Sequence, residues 1–393
     1  MGGTQGIVKA SGSDSMRIGI YSDTAGLTTG YGQQSMLFLM ELKKRGHEVF
    51  SYGIQYVGFP ITVNGITIYP ASTDEEFRRS INMSKPDVVI SSRDLWQYSS
   101  FNAYGEHHLI GIVHDAGAKL VNFSPIQVVP MPKAIDEVIE KDGDFTLFSS
   151  RYALKHFQGK GHDRIGYLPY CIDPRYQKVD ISRYDRPYGL PKGSTMLMNV
   201  GYALDPRKQT PLVLKLLSDY RQYDPTAFAY MHTLPRSYYA NDVFQENLGL
   251  PKGSVIFKHY TDAGNNVHDA EVTMMNQLYN SADVFINLAS SEGFGLPAVE
   301  AASLGIPVMV TDTPVHREVL GMYKSVRFIK SYQWIPSVWW FEYMPDMDVA
   351  FETLMKIKDT EFRKEKPYVF HEHTPSAVID MLEKVLESLE IKK

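Results

Sequence analysis

The chain has 393 residues, 44% hydrophobic and 22% charged, which is enough apolar content to bury two cores of ordinary domain size. Its formal net charge of −5 argues against a broad phosphate-binding surface while leaving room for a local basic patch. A single cysteine, Cys171, excludes an internal disulfide and a thiolate metal cluster, and no run approaches a transmembrane span.

Residues 1–15 read as a flexible leader, because Met1 to Gly6 lacks an apolar signal core and position 6 is Gly where a myristoylation signal wants Ser or Thr. A first strand is expected from Met16 to Tyr21, opening onto the glycine-bearing segment Ser22 to Gly32. A helix follows from about Gln33 to Arg45, with Met36, Leu37, Phe38, Leu39 and Met40 making a wide buried face and Gly46 ending it. Strand-like runs recur at Glu48 to Gly53, Asp87 to Ser91, His108 to Val113 and Phe145 to Ser149. Strands alternating with crossovers imply a parallel, doubly wound sheet.

The texture changes over residues 181–194, which are polar, Pro- and Gly-bearing and without helical periodicity, as in a linker. A second series starts at Thr195 and runs through Ala227 to Met231, Val255 to Tyr260, Asp283 to Ala289 and Pro307 to Thr311. Two similar α/β halves, 16–180 and 195–370, are therefore expected to face one cleft. Residues 371–393 end the chain in an amphipathic helix with Val378, Met381, Leu382, Val385, Leu386 and Leu389 on one face and Thr374-Pro375 at its start.

The most informative stretch is Glu292-Gly-Phe-Gly-Leu-Pro-Ala-Val-Glu300. The apolar run before it places Glu292 at a strand's carboxyl end. Gly293 and Gly295 flank Phe294 and let the backbone approach a ligand closely. Pro297 suits the start of a helix whose first-turn N–H groups would point into the same crevice and suit a phosphate. Carboxylates at Glu292 and Glu300 are poor phosphate ligands but good acceptors for hydroxyls, and a nucleotide sugar presents hydroxyls on both sides of its pyrophosphate.

This stretch, with Ala301 to Asp312 after it, resembles the Glu-x7-Glu signature of retaining glycosyltransferases of family 4. The resemblance implies the α/β GT-B architecture, two Rossmann-like doubly wound domains facing a central cleft, with 16–180 on the acceptor side, 195–370 binding the donor and the last helix crossing back to the first domain. It implies that Glu292 contacts the transferred sugar and Glu300 holds the ribose. Gly293, Phe294, Gly295 and Leu296 would form the donor loop, and Glu318 would brace it. Gly30 and Gly32 resemble the glycine loop by which the N-terminal domain of such enzymes approaches the phosphate and the acceptor.

Arg207 and Lys208 follow a strand's carboxyl end and are placed to neutralise a leaving diphosphate. Lys208 matches the family's Lys, whereas Tyr202 stands where the first Arg is expected, so either Arg207 reaches over or the diphosphate rests on one cation. His114 follows the apolar run Leu109 to Val113, and as the residue after a strand it would emerge at the sheet's carboxyl edge, where the family places a His near the donor sugar.

The implied reaction is transfer of a hexose-type unit from a nucleoside diphosphate sugar to an acceptor hydroxyl with retention. Catalysis would rest on charge stabilisation by Lys208, Arg207 and helix N–H groups and on orientation of the sugar by Glu292. No metal constellation stands out, in keeping with the metal independence usual for this fold, and no cofactor is expected beyond the nucleotide sugar as donor substrate. A non-enzymatic GT-B scaffold, a nucleotide-sugar epimerase and a sugar phosphorylase are the alternatives. Lipid, protein, polysaccharide, small molecule and modified nucleic acid all remain open as acceptors. A cytoplasmic location, free or peripheral at a membrane, is expected. The aromatic stretch Phe328 to Tyr343, with Trp334, Trp339 and Trp340, is expected to reach the cleft rim and affect acceptor choice.

Overall fold

The computed structural model describes residues 15–98, 109–201, 205–233, 235–236, 239–258, 267–334 and 341–389. Tyr202, most of the expected leader and positions 335–340 of the aromatic stretch lie outside the described residues.

The first half is an eight-stranded sheet built from β1 (Arg17–Ser22), β2 (Glu48–Gly53), β3 (Ile61–Val63), β4 (Ile66–Pro70), β5 (Val88–Ser92), β6 (Lys119–Ser124), β7 (Phe145–Phe148) and β8 (Ile165–Tyr167). Its spatial order is β3-β4-β2-β1-β5-β6-β7-β8, parallel except for β3 against β4. The crossover helices are α1 (Gly30–Lys44), α2 (Asp74–Ser84), α3 (Leu109–Asp115), α4 (Lys133–Lys141) and α5 (Arg151–Gly159). The central strands are near-continuous apolar runs because helices cover both faces: Ile18, Val88, Ile90 and Leu120 are all fully buried.

The second half is a fully parallel six-stranded sheet of β9 (Met196–Val200), β10 (Phe228–His232), β11 (Val255–Phe257), β12 (Val284–Asn287), β13 (Val308–Thr311) and β14 (Val326–Ile329). The order is β11-β10-β9-β12-β13-β14. Its helices are α6 (Thr210–Tyr220), α7 (Asn241–Asn247), α8 (Val267–Ser281), α9 (Leu296–Ser303), α10 (Pro314–Leu320) and α11 (Met347–Asp359). A hairpin of β15 (Ser331–Trp334) and β16 (Glu342–Pro345) follows β14, and α12 (Pro375–Glu387) closes the described chain.

Two expectations are corrected here. The run Leu109 to Val113 is helix, not strand: Leu109, Ile112 and Val113 are buried at the i, i+3, i+4 spacing of a helical face, and the strand is the next segment, β6, reached through Gly117 at φ +78°. Helix α1 starts at Gly30 rather than Gln33, because the Thr29 hydroxyl accepts from Gly32 N at 3.1 Å and caps it there. Met40, expected on its buried face, is 43% exposed.

The segment between β8 and β9 is not a free strap. Arg186 is buried, donates to the carbonyls of Ser281, Pro191 and Ser194, and pairs with Asp283 at 2.7 Å, while Arg183 takes the other Asp283 oxygen at 2.8 Å. One buried carboxylate thus binds this polar stretch to the second half.

From the other end, α12 lies against α1. Val378, Leu382 and Leu386 are buried, and Arg45 donates to Asp380 and Glu383, each at 2.6 Å. The last helix therefore joins the first half after the chain has built the second. No helix among the described residues is long and apolar enough to cross a membrane.

Candidate active site

The carboxyl ends of the two sheets meet. Ser149, just past β7, donates its hydroxyl to Gly293 O at 2.8 Å. A Cβ on Gly293 would overlap Pro125, just past β6, so the glycine is required for the close approach of the two halves. Gly30 has only Leu296 Cδ1 near the place of its missing side chain, at 3.6 Å.

Glu292 follows β12 and is almost fully buried. Its Oε1 accepts from Lys208 Nζ at 2.6 Å and its Oε2 from Arg207 Nη1 at 2.7 Å, with Asn287 Nδ2 3.3 Å from Oε1. Burial alone would raise its pKa, but Lys208 and Arg207 hold the carboxylate far below the usual range. Arg207 also pairs with Asp205 at 2.6 Å, so two carboxylates already face its charge. Lys208 loses its proton more readily than an ordinary lysine, first through burial and second through the neighbouring Arg207. A bound dianion would reverse that second effect. Sequence reasoning placed both cations near a leaving group; the structure adds that Glu292 holds them both.

The opposing wall of the cleft was not foreseen. Tyr31, between Gly30 and Gly32, hydrogen-bonds Asp94, which also accepts from Gln127 at 3.1 Å and lies within electrostatic reach of Arg207. Burial raises the Asp94 pKa despite that cation. The Gly-Tyr-Gly pattern marked the segment, but it is the tyrosine between the glycines whose side chain bonds Asp94.

Further along α9, Glu300 is buried and accepts from Tyr279 Oη at 2.7 Å. Its pKa is pushed up to about 7 by burial, against the pull of the tyrosine. Glu271, on α8 and within reach of Glu300, is likewise pushed up to about 7 by burial and then by that neighbour. Asn199 Oδ1, Ser291 Oγ, Thr311 Oγ1 and His316 Nε2 are buried around the same sheet edge without hydrogen-bond partners among the described residues. Such a lining is suited to a polar ligand.

The remaining residues divide. Gly295 caps α9 with φ +85°, a left-handed backbone that favours glycine. The Ala298 and Val299 amides already bond Gly295 O, and Pro297 has none, so Leu296 supplies the first-turn N–H. Phe294 points into the junction between the halves, with ring centroids 5.4 Å from Tyr170 and 5.2 Å from His373. Gly32 makes room for the carbonyls of Thr24 and Leu27, so its lack of a side chain serves the loop before α1.

Two placements are corrected. His114 is at the amino edge of the first sheet, 2.9 Å from Asp144, which precedes β7 and also accepts from Leu120 N and Lys119. The cause is the helical course of Leu109 to Asp115, and it puts this imidazole on the edge away from Glu292. Glu318 does not reach the donor loop: its two oxygens accept from Arg151 N at 2.7 Å and Tyr152 N at 2.8 Å, capping α5 across the cleft.

The hairpin β15/β16 touches the loop before Glu292. Tyr343 N donates to Ser290 O at 2.9 Å, and Ser290 Oγ donates to the Glu342 carboxylate. The stem of the aromatic stretch is therefore beside the site. Among the described residues no group of three or more His, Cys, Asp or Glu side chains is arranged to hold a metal ion.

Residues 266–338, which include Glu271, Glu292, Glu300 and His316, match the family described as Glycosyl transferases group 1. A comparison with curated proteins finds no relative. Among solved structures, the sucrose-phosphate synthase of Thermosynechococcus elongatus is similar at 12% identity and a TM-score of 0.65 over 95% of this chain and 99% of that one. HepE of Anabaena, solved with UDP and glucose, is similar at 13% identity and a TM-score of 0.64, again over 95% and 99%. WaaG, a glycosyltransferase involved in lipopolysaccharide biosynthesis, is similar at 14% identity and a TM-score of 0.62 over the same shares. The fold of this chain is that of the GT-B glycosyltransferases. The matched segment and this fold together support a glycosyltransferase.

Proposed function

We propose that this protein is a retaining glycosyltransferase that moves a hexose-type sugar from a nucleoside diphosphate sugar to an acceptor hydroxyl, without a metal or other cofactor. The observation that carries the reading is the contact of Glu292 with both Lys208 and Arg207 at the carboxyl edge of the second sheet, facing Ser149, Pro125 and Tyr31 of the first. Glu292 and Glu300 stand at the two ends of one short helix start, which suits the two hydroxyl-bearing parts of such a donor. The HepE neighbour, solved with UDP and glucose, supports a ligand of this class.

In the reaction, the bond from the anomeric carbon to the β-phosphate oxygen breaks, and the acceptor oxygen bonds that carbon on the same face. The acceptor proton goes to the departing diphosphate. Lys208 and Arg207 face the charge that develops there, preorganised by Glu292, which orients the sugar. Glu300 accepts from the ribose, and the Leu296 amide supplies a hydrogen bond to phosphate. A reducing, cytoplasmic setting fits the single buried thiol of Cys171, and an acceptor at a membrane surface would make the association peripheral.

The test is release of nucleoside diphosphate from UDP-glucose, UDP-N-acetylglucosamine, ADP-glucose and GDP-mannose, without acceptor, by wild type, Glu300→Ala and Lys208→Ala. Release from one donor that both substitutions abolish is the expected result. Neither release nor calorimetric binding of any donor would leave the GT-B scaffold reading instead.

A further inference from the structure

His316 lies on α10, is fully buried, and its surroundings fix its tautomer. Its Nδ1 is 2.7 Å from the carbonyl oxygen of Thr311, which can only accept, so Nδ1 carries the proton and Nε2 presents a lone pair. That Nε2 has no hydrogen-bond partner among the described residues. A buried acceptor left without a donor is costly, and a fold retains one where something outside the protein supplies the donor.

The position of the atom says what that donor is. A Cβ on Gly295 would lie 3.3 Å from Nε2 and 3.9 Å from Glu292 Cγ, so the space of the missing side chain is between the imidazole and Glu292. Protonation to pair with Glu292 is opposed by burial and by Lys208 and Arg207. Those two cations already donate to Glu292. A diphosphate brings acceptors only, and the ribose belongs to the Glu300 end of α9. Among the groups of such a donor the sugar hydroxyls are the hydrogen-bond donors that remain, and a bound water in their place would leave the analogue ratios below unchanged by substitution of His316.

We infer that His316 Nε2 accepts a hydrogen bond from a ring hydroxyl of the transferred sugar, next to the hydroxyl that Glu292 takes, and so helps select which hexose is used. The inference rests on the donor-site reading above.

The experiment compares the donor that wild type accepts with its monodeoxy analogues, using wild type, His316→Phe, which fills the site without an acceptor, and His316→Gln, which restores one. Wild type is expected to disfavour one analogue by about 10- to 100-fold in kcat/KM. That ratio should fall towards unity in His316→Phe and be partly restored in His316→Gln, while the Kd for the nucleoside diphosphate alone is unchanged in both. The same ratios in wild type and His316→Phe, with the diphosphate Kd intact, would overturn the inference. Should His316→Phe not bind the diphosphate, His316→Gln decides: a changed ratio at one ring position supports the assignment, and unchanged ratios at all positions overturn it. A wild type that binds no donor would instead sink the donor-site reading itself.

Discussion

At the scale of single residues, the cleft concentrates groups whose ionisation is displaced by burial. Glu300 is the clearest case, with a folded pKa of about 7 against an ordinary value of 4.5. The folded state therefore keeps its proton after the unfolded state has lost it, so stability falls as pH rises from about 4.5 through about 7 and then levels off. At roughly 1.4 kcal/mol per pKa unit the loss is on the order of 3 kcal/mol at most. Glu300→Gln, which keeps a partner for Tyr279, should raise the melting temperature at pH 8 and change it little at pH 4.5. The same substitution should weaken donor binding, because the ionised carboxylate is the better acceptor for ribose hydroxyls. Wild-type donor affinity should rise with pH through about 7, and Glu300→Gln should flatten that rise. A melting profile for Glu300→Gln parallel to wild type across this range would contradict the buried-proton account. Such behaviour could not be read from the sequence, where Glu292 and Glu300 are alike. What separates them is that Lys208 and Arg207 reach Glu292, whereas Glu300 has a tyrosine.

At the scale of elements, the helix start after Glu292 and the strands β1, β2, β5, β7 and β9 to β13 were legible because they carry their own signals, an apolar or β-branched run, a glycine turn or a proline in the first helical turn, whereas β3, β4, β6, β8 and β14 were not expected. The helix Leu109–Asp115 was not, since the short run Leu-Ile-Gly-Ile-Val fits either element and its length does not separate the two. That one ambiguity moved His114 from one edge of the sheet to the other. His114→Ala is accordingly expected to leave nucleoside diphosphate release within about twofold of wild type, and to cost no more than about 1 kcal/mol, because Lys119 stays on Asp144. A loss of activity above tenfold with an unchanged Kd for donor would return this residue to the reaction. The role of Gly293 was half legible. A glycine beside Glu292 suggested close approach of a ligand, but its missing side chain makes room for Pro125, whose Cα would be 3.3 Å from a new Cβ. Gly293→Ala should force the halves apart there, destabilising by roughly 1–3 kcal/mol, and should lower turnover by more than the change in melting temperature accounts for.

At the scale of the whole molecule, the two halves share one buried apolar cluster and are joined besides by well-directed polar contacts. The Glu318 carboxylate caps α5 from across the cleft, Arg151 on that helix pairs with Glu372 at 2.7 Å, Ser149 bonds the backbone of Gly293, and α12 returns from the second half to cover α1. None of these pairings is local in sequence, so no periodicity could announce them. The α5 cap is the most separable, because the hydrogen bonds of Glu318 go to two backbone amides, with the Arg151 guanidinium in electrostatic reach, and it lies outside the Glu292 cluster. Removing a charge-assisted pair of hydrogen bonds at a helix start costs about 1–3 kcal/mol. If the cost falls only on the closed arrangement, the ratio of closed to open molecules falls by about 10- to 100-fold. Glu318→Ala should therefore scatter X-rays as a larger particle than wild type and contract when a donor that wild type binds is added. Closure shields the donor from water, so the variant should also divert a larger share of donor to hydrolysis than to transfer. Identical scattering of wild type and Glu318→Ala, with and without donor, would mean that α12 and the Phe294 junction hold the halves together unaided. The Glu318 cap would then matter to the stability of α5 alone.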